Sequence, residues 1–380
     1  MVFSAKKFNV ICFGVMLLLG LYLSTYQAVL SNITGVAGFD GAMSGVLVAI
    51  YFLGALIMPI VAGEISDRIG KKVMLLAALA VMIAGILIVV TSAHIVLIGI
   101  GIFFSGAGSC TIEGLFSSKI TDKYPQDSAK FMNYSQMFYC IGAVLGPLML
   151  LLVKSSGGAW KTSMYIAAFL FLLSGIAILQ LPGDKNDVSV KEKDRKKTAY
   201  SLTLIKDLRF ILLFFSMLLY VGSESGLAFF TMDYYKENAS TASGEISLSL
   251  FWAGMVIGRL IAGVLHHHSK KIIFICLATA AVFSALLQLE LPSVISPAVF
   301  FLTGFGMSAI WPLIMSSCTQ TFSSTSGTAG GLMMAGGASG GMLAPLLMGF
   351  LSTGGVRNSL LVVSFCLIIP LILILPLRRK

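Results

Sequence analysis

The chain has 380 residues, of which 57% are hydrophobic and only 11% charged, with a mean hydropathy of +0.94. Soluble domains carry about 25% charged residues, so this chain lacks the polar surface a soluble fold needs. Its formal net charge of +10 does not mark a nucleic-acid surface, because the basic residues are dispersed between long apolar runs.

Twelve such runs lie at about 8–30, 43–62, 73–92, 94–117, 131–153, 162–181, 210–232, 246–265, 272–290, 294–316, 327–351 and 358–377. At 1.5 Å per residue, about 20 residues cross about 30 Å of hydrocarbon. Each run therefore predicts a membrane-spanning α-helix. A membrane β-barrel would instead show alternating segments of about ten residues. With both termini in the cytoplasm, 22 of the 26 Lys and Arg fall on the cytoplasmic side, and only Lys154, Lys161, Lys236 and Arg357 fall outside. That bias sets orientation. Lys6 and Lys7 before the first run resemble the start of a signal peptide, but the run continues to residue 30, longer than such a segment. The six cysteines are scattered without a CxxC pair and read as small apolar residues.

The first span carries Tyr22, Tyr26 and Gln27. Between the second and third spans stands Gly63-Glu64-Ile65-Ser66-Asp67-Arg68-Ile69-Gly70-Lys71-Lys72. This reads as a short charged turn of about ten residues that leaves the membrane and re-enters it. The pattern G-x-x-x-D-R-x-G-K/R-K/R at that place resembles the signature loop of the major facilitator superfamily of transporters. The resemblance implies two six-helix bundles with a substrate cavity between them. It also implies that Gly63, Asp67, Arg68, Gly70 and Lys71 act as a conformational switch. Asp67 is expected near the cytoplasmic start of the eleventh helix, after Ser324-Thr325-Ser326-Gly327, where a helix N-terminus favours a carboxylate.

The third span is almost wholly apolar, as are the sixth, ninth and twelfth apart from Gln180, Gln288 and a few hydroxyls. The fourth carries Ser105, Ser109, Glu113 and Ser117, one polar stripe at four-residue spacing. A carboxylate at the bilayer centre costs about 2.5–3.5 kcal/mol or more, so Glu113 is expected to face an interior cavity. The fifth span adds Asn133, Gln136, Tyr139 and Cys140. Residues 183–209 form a charged linker, expected in the cytoplasm, with six spans on either side. The seventh span repeats the polar side with Ser216, Tyr220, Glu224 and Thr231. Trp252 lies in the eighth, where packing or interfacial anchoring is the competing role. His266-His267-His268 follows it; adjacent helical histidines diverge, so the run reads as a turn and not a metal site. In the tenth span Ser308 and Trp311 precede Pro312, where a local break can open backbone carbonyls. The glycine clusters Gly106-Ala107-Gly108 and Gly336-Gly337-x-x-Gly340-Gly341 lie inside spans. They read as close helix contacts, not nucleotide loops.

The halves repeat. At an offset of 200, Tyr51-Phe52-Leu53-Gly54 meets Phe251-Trp252-Ala253-Gly254, and Ala62-Gly63 meets Ala262-Gly263. At 198, Gly106-x-Gly108 meets Gly304-x-Gly306, Gly142 meets Gly340, and Pro147 meets Pro345. Parallel repeats of this kind build transporters with a central site.

The expected fold is thus all-α and membrane-embedded: an N-terminal bundle over 1–182, the linker, and a C-terminal bundle over 210–380. Tyr51-Phe52-Leu53-Gly54-Ala55, Tyr220-Val221-Gly222-Ser223-Glu224 and Ser249-Leu250-Phe251-Trp252-Ala253-Gly254-Met255-x-x-Gly258-Arg259 resemble the fucose permease-like branch of sugar–proton symporters. Where that branch carries an acidic residue in its first span, this chain has Gln27, and Glu113 stands about two positions from the branch's fourth-span acid. The resemblance implies a monomeric secondary transporter of the cell membrane, with no cofactor and with protons as coupling ion. Its candidate solute-binding residues are Tyr22, Tyr26, Gln27, Glu113, Asn133, Gln136, Tyr139, Glu224, Trp252 and Trp311, with Glu113 and Glu224 carrying protons. The alternative is proton-driven efflux of drugs or metabolites, for which 19 Met and 26 Phe offer an adaptable apolar lining. No nucleophile–base or metal-ligand constellation points to an enzyme.

Overall fold

The computed structural model describes residues 5–36, 41–124, 126–182, 204, 206–238, 241–264, 269–289, 291–292, 294–322 and 326–374. Regular structure among them is entirely helical: α1 Ala5–Val36, α2 Gly41–Ile69, α3 Lys71–Thr91, α4 Ile95–Lys123, α5 Ser128–Ser155, α6 Trp160–Leu179, α7 Leu208–Asn238, α8 Thr241–Val264, α9 Ser269–Leu286, a tenth span in two pieces, α10a Ser296–Met307 and α10b Ile310–Thr321, then α11 Ser326–Leu351 and α12 Leu361–Ile374. A short helical turn, Val356–Ser359, leads into α12. Among the described residues, eleven spans are long and apolar enough to cross a membrane, and α9 supplies a shorter apolar helix over Lys271–Leu286. Large apolar side chains such as Phe169, Leu172, Ile275, Val282, Phe365 and Ile372 stand exposed, as lipid-facing residues must. Most of the expected linker, 183–203 and 205, and the run His266–His268 lie outside the described residues.

The chain divides into two compact units. In the first, residues 1–38 and 50–192, α1 packs on α5 and α6, and α3 packs on α4 and α6. The charged segment between the second and third spans is not a ten-residue turn. The α2 helix continues through Gly63 and Ser66 to Ile69, and the reversal is made by Gly70 alone, at φ 90 and ψ 145. Its N–H reaches Ser66 O (2.9 Å) and its carbonyl accepts from Met74 N (3.2 Å), so one residue ends α2 and begins α3. A positive φ is adopted cheaply only by glycine. Beyond it, the buried Lys71 pairs with Asp122 at the end of α4. Lys72 Nζ donates to Leu179 O at the C-terminus of α6 (2.6 Å), where the helix dipole favours a cation. The helix passes through Asp67 and Arg68, whose side chains lie outside the described residues.

The second unit comprises residues 39–49 and 193–380. Here α7 packs on α11 and α12, α9 on α10a and α12, and α8 on α10a. Asp207 starts α7, its carboxylate accepting from Arg209 N (2.8 Å) and from the Arg209 guanidinium. These bonds hold its carboxyl below the usual range. Residues 39–49 contribute Gly45, whose Cα faces the backbone of Pro345 and Gly349 on α11.

The sequence repeat reappears as repeated contact. Gly54 abuts Phe103 O in the first unit, and Gly254 abuts Phe301 O in the second. Gly106 meets Tyr51 O as Gly304 meets Phe251 O; Gly108 and Gly306 press on Ala78 and Ala280; Gly142 and Gly340 press on Leu17 O and Leu218 O. No Cβ fits at these crossings. In lipid, where apolar surface gains nothing by meeting apolar surface, such close backbone approach drives helix association.

Candidate functional site

In the first unit the α4 stripe is the organising element. Ser105 Oγ donates back to Ile102 O (2.8 Å) and Ser109 Oγ to Gly106 O (3.1 Å). Each hydroxyl spends its hydrogen within the helix and keeps its oxygen free to accept. Tyr22 from α1 hydrogen-bonds with Ser105, and the hydroxyl of Tyr51 from α2 lies 2.8 Å from Ser109 Oγ. The ring of Tyr26 lies parallel to Tyr22 at 6.4 Å and tilted against Tyr51 at 5.5 Å. All three tyrosines are buried, and the Ser105 and Ser109 hydroxyls serve the polar tips of Tyr22 and Tyr51. One turn beyond Ser109, Glu113 Oε1 accepts from Gln136 Nε2 of α5 (2.9 Å). Glu113, Gln136 and Tyr139 are only half-buried. A carboxyl and an amide side by side, with phenols behind them, form a surface suited to hydroxyl-bearing solutes.

The second unit holds a different arrangement, created by the break in the tenth span. The α10a helix ends at Met307 and α10b begins at Ile310. Pro312 has no N–H, so it cannot satisfy the carbonyl of Ser308, four residues earlier. That carbonyl accepts instead from Arg259 Nε of α8 (3.2 Å), and the neighbouring Met307 O accepts from Tyr220 OH of α7 (3.0 Å). Both donors also act on Glu224: Tyr220, one turn away on α7, as a hydrogen-bond partner, and Arg259 as the opposite charge. The phenol and the guanidinium that reach the two carbonyls thus also act on Glu224. Nearby hydroxyls stay within their helices, Ser216 on Leu212 O and Thr231 on Leu227 O (both 2.7 Å).

Among the residues singled out in the sequence, Tyr22 and Tyr26 meet each other, and Glu113 meets Gln136. Gln27 is buried on α1. Asn133 is exposed at the start of α5. Trp252 is buried with its ring edge-on to Phe251 (5.4 Å). Trp311 stands half-buried in the first turn of α10b, directly beyond the break. Sequence reading passed over two participants. Tyr51 has a visible signal, a phenol in an apolar span whose repeat mate, Phe251, lacks the hydroxyl. Arg259 was counted among cytoplasmic charges, because a basic residue near a helix end looks the same whether it leaves the membrane or turns inward.

Relatives of this chain are membrane transporters. It is 23% identical over 331 residues to an uncharacterised MFS-type transporter, YfkL, of Bacillus subtilis, covering 82% of this chain and 80% of that one. It is 23% identical over 261 residues to the glucose/mannose transporter GlcP of the same organism, covering 65% and 64%. The fold superposes on the crystal structure of the Escherichia coli fucose:proton symporter FucP with a TM-score of 0.67 at 18% identity, covering 97% of this chain and 98% of that one. The sequence profile of the Major Facilitator Superfamily matches residues 11–293 and again 213–380. With that match over nearly its whole length, the chain belongs to the Major Facilitator Superfamily of membrane transporters.

Proposed function

We propose that this transporter takes up a sugar or similar hydrophilic solute together with protons, by alternating access in the cell membrane, acting as a monomer with both termini in the cytoplasm. The observation that carries the reading is the Gln136–Glu113 hydrogen bond on two half-buried side chains. It presents a carboxyl and an amide side by side on spans of the first unit that are otherwise rich in apolar residues. The similarity to a glucose/mannose transporter and the fold shared with a fucose:proton symporter support a sugar-like solute. The orientation rests on the distribution of basic residues. Glu113, Gln136 and Tyr139 would contact the solute, with Tyr22, Tyr26 and Tyr51 holding the stripe behind them; Glu224 belongs to the second unit's contribution.

A thermal-shift screen of the purified protein against sugars, nucleosides, amino acids and cationic drugs identifies the solute class, and sugars are expected to stabilise it. Selective stabilisation by cationic drugs would favour the efflux alternative that the Met and Phe content keeps open. In proteoliposomes, Glu113→Gln should abolish uphill accumulation driven by a pH gradient while sparing counterflow exchange, since an amide mimics the protonated acid. Full gradient-driven accumulation by that variant would remove Glu113 from the coupling step.

A further inference from the structure

We propose that Glu224, Tyr220, Arg259 and the carbonyls of Met307 and Ser308 form a proton-reading latch, in which the charge of Glu224 decides whether the break in the tenth span is capped. This rests on the proton-coupled reading above and adds Arg259 and Tyr220 as its positioning residues. Tyr220 has one hydroxyl hydrogen, and it is given to Met307 O at 3.0 Å. Tyr220 is at the same time a hydrogen-bond partner of Glu224. One hydrogen cannot serve both acceptors: while Glu224 holds a proton the phenol is left to Met307 O. Once the proton leaves, the carboxylate is a pure acceptor. It then claims the phenol hydrogen, and Met307 O loses its donor. Arg259 is drawn between the same alternatives, the carboxylate and Ser308 O, which its Nε reaches at 3.2 Å.

Few other charges enter this balance. On α7 itself Asp233, Tyr234 and Tyr235 stand more than two turns away. The α8 helix brings Arg259, its Glu245 lying at the opposite end. Cys318 on α10b and Cys366 on α12 are the titratable groups of those elements, and α11 carries none. Arg357, in the turn before α12, acts on Tyr234. A proton arriving at or leaving Glu224 is therefore transmitted to the backbone joining α10a and α10b.

Infrared difference spectroscopy of the purified protein in lipid, stepped from acid to alkaline pH, tests this. A carboxylic C=O band should disappear together with a shift of a tyrosine C–O band. Glu224→Gln should remove both changes. Tyr220→Phe should remove the tyrosine change and keep the carboxylic one. Arg259→Gln should move the midpoint to higher pH by about one unit or more, because the ion loses its counter-charge, and Arg259→Lys should largely restore it. A tyrosine change that survives Glu224→Gln, or a midpoint that Arg259→Gln leaves in place, overturns the latch. Gradient-driven uptake without these coupled bands would remove the latch and leave the transport reading intact. Coupled bands in a protein that accumulates nothing would do the reverse.

Discussion

Gln136 and Glu113 lie 23 positions apart on different helices, yet their side chains meet at 2.9 Å. A hydrogen bond to a charged group contributes about 1.5–3 kcal/mol. If that bond orients the carboxyl toward the solute, Gln136→Leu should raise the apparent KM for uptake about tenfold or more with the protein still folded, as measured by initial rates in proteoliposomes. An unchanged KM would separate Gln136 from the solute. Two glycines of the signature segment should behave oppositely. Gly63 lies inside α2 with open space around its Cα, whereas Gly70 holds φ 90. Gly63→Ala should leave the melting temperature unchanged or raise it, since Ala is favoured over Gly in a helix by up to about 1 kcal/mol. Gly70→Ala should lower it, by a cost of about 1–2 kcal/mol for the left-handed backbone. Equal melting temperatures for the two variants would contradict the single-residue reversal.

At the scale of elements, the tenth span shows how far sequence reaches. Pro312 announced a break, and the carbonyl it orphans is that of Ser308, at the break itself. Yet Pro59, Pro147, Pro345 and Pro370 sit inside uninterrupted α2, α5, α11 and α12. What distinguishes the tenth span is a pair of donors from other helices, Tyr220 and Arg259, ready for the freed carbonyls. Such donors are invisible to any reading confined to one span. The same limit applies to the signature segment: its charges and glycines were legible, but not that α2 stays helical to Ile69. The glycine crossings were legible, because duplicated positions report a shared contact whatever that contact is. Pro312→Ala restores an N–H that can reach Ser308 O, in competition with Arg259. Uptake by that variant should slow several-fold while its melting temperature holds or rises; unaltered turnover would make the break dispensable. Gly142→Val and Gly340→Val should each destabilise their own unit, by about 1–3 kcal/mol for overpacking, since Leu17 O and Leu218 O occupy the equivalent space. Thermal-shift measurements that find one harmless and the other severe would break the equivalence of the two crossings.

For the whole molecule, the two units repeat one packing scheme around different polar centres. The first offers a carboxyl–amide pair, the second a carboxyl that shares Tyr220 and Arg259 with the carbonyls of a helix break. Such a division suits a carrier whose halves move as bodies, one presenting solute-binding groups and the other converting a charge change into a backbone change. The proposed motion is a rocking of residues 1–182 against 210–380. Residues 39–49 cluster with the second unit although they open α2, so labels belong away from them. Spin-label pairs joining the two halves at the cytoplasmic face and at the outer face should change distance in opposite senses when solute or a lower pH is supplied. Pairs within one half should stay fixed, because backbone-to-backbone contacts such as Gly142–Leu17 and Gly340–Leu218 leave no slack inside a unit. A single separation at both faces under every condition would refute alternating access by rocking. Equal changes within and between the halves would refute their rigidity and shift the movement into the helices themselves, with the Ser308–Ala309 break as the first place to look.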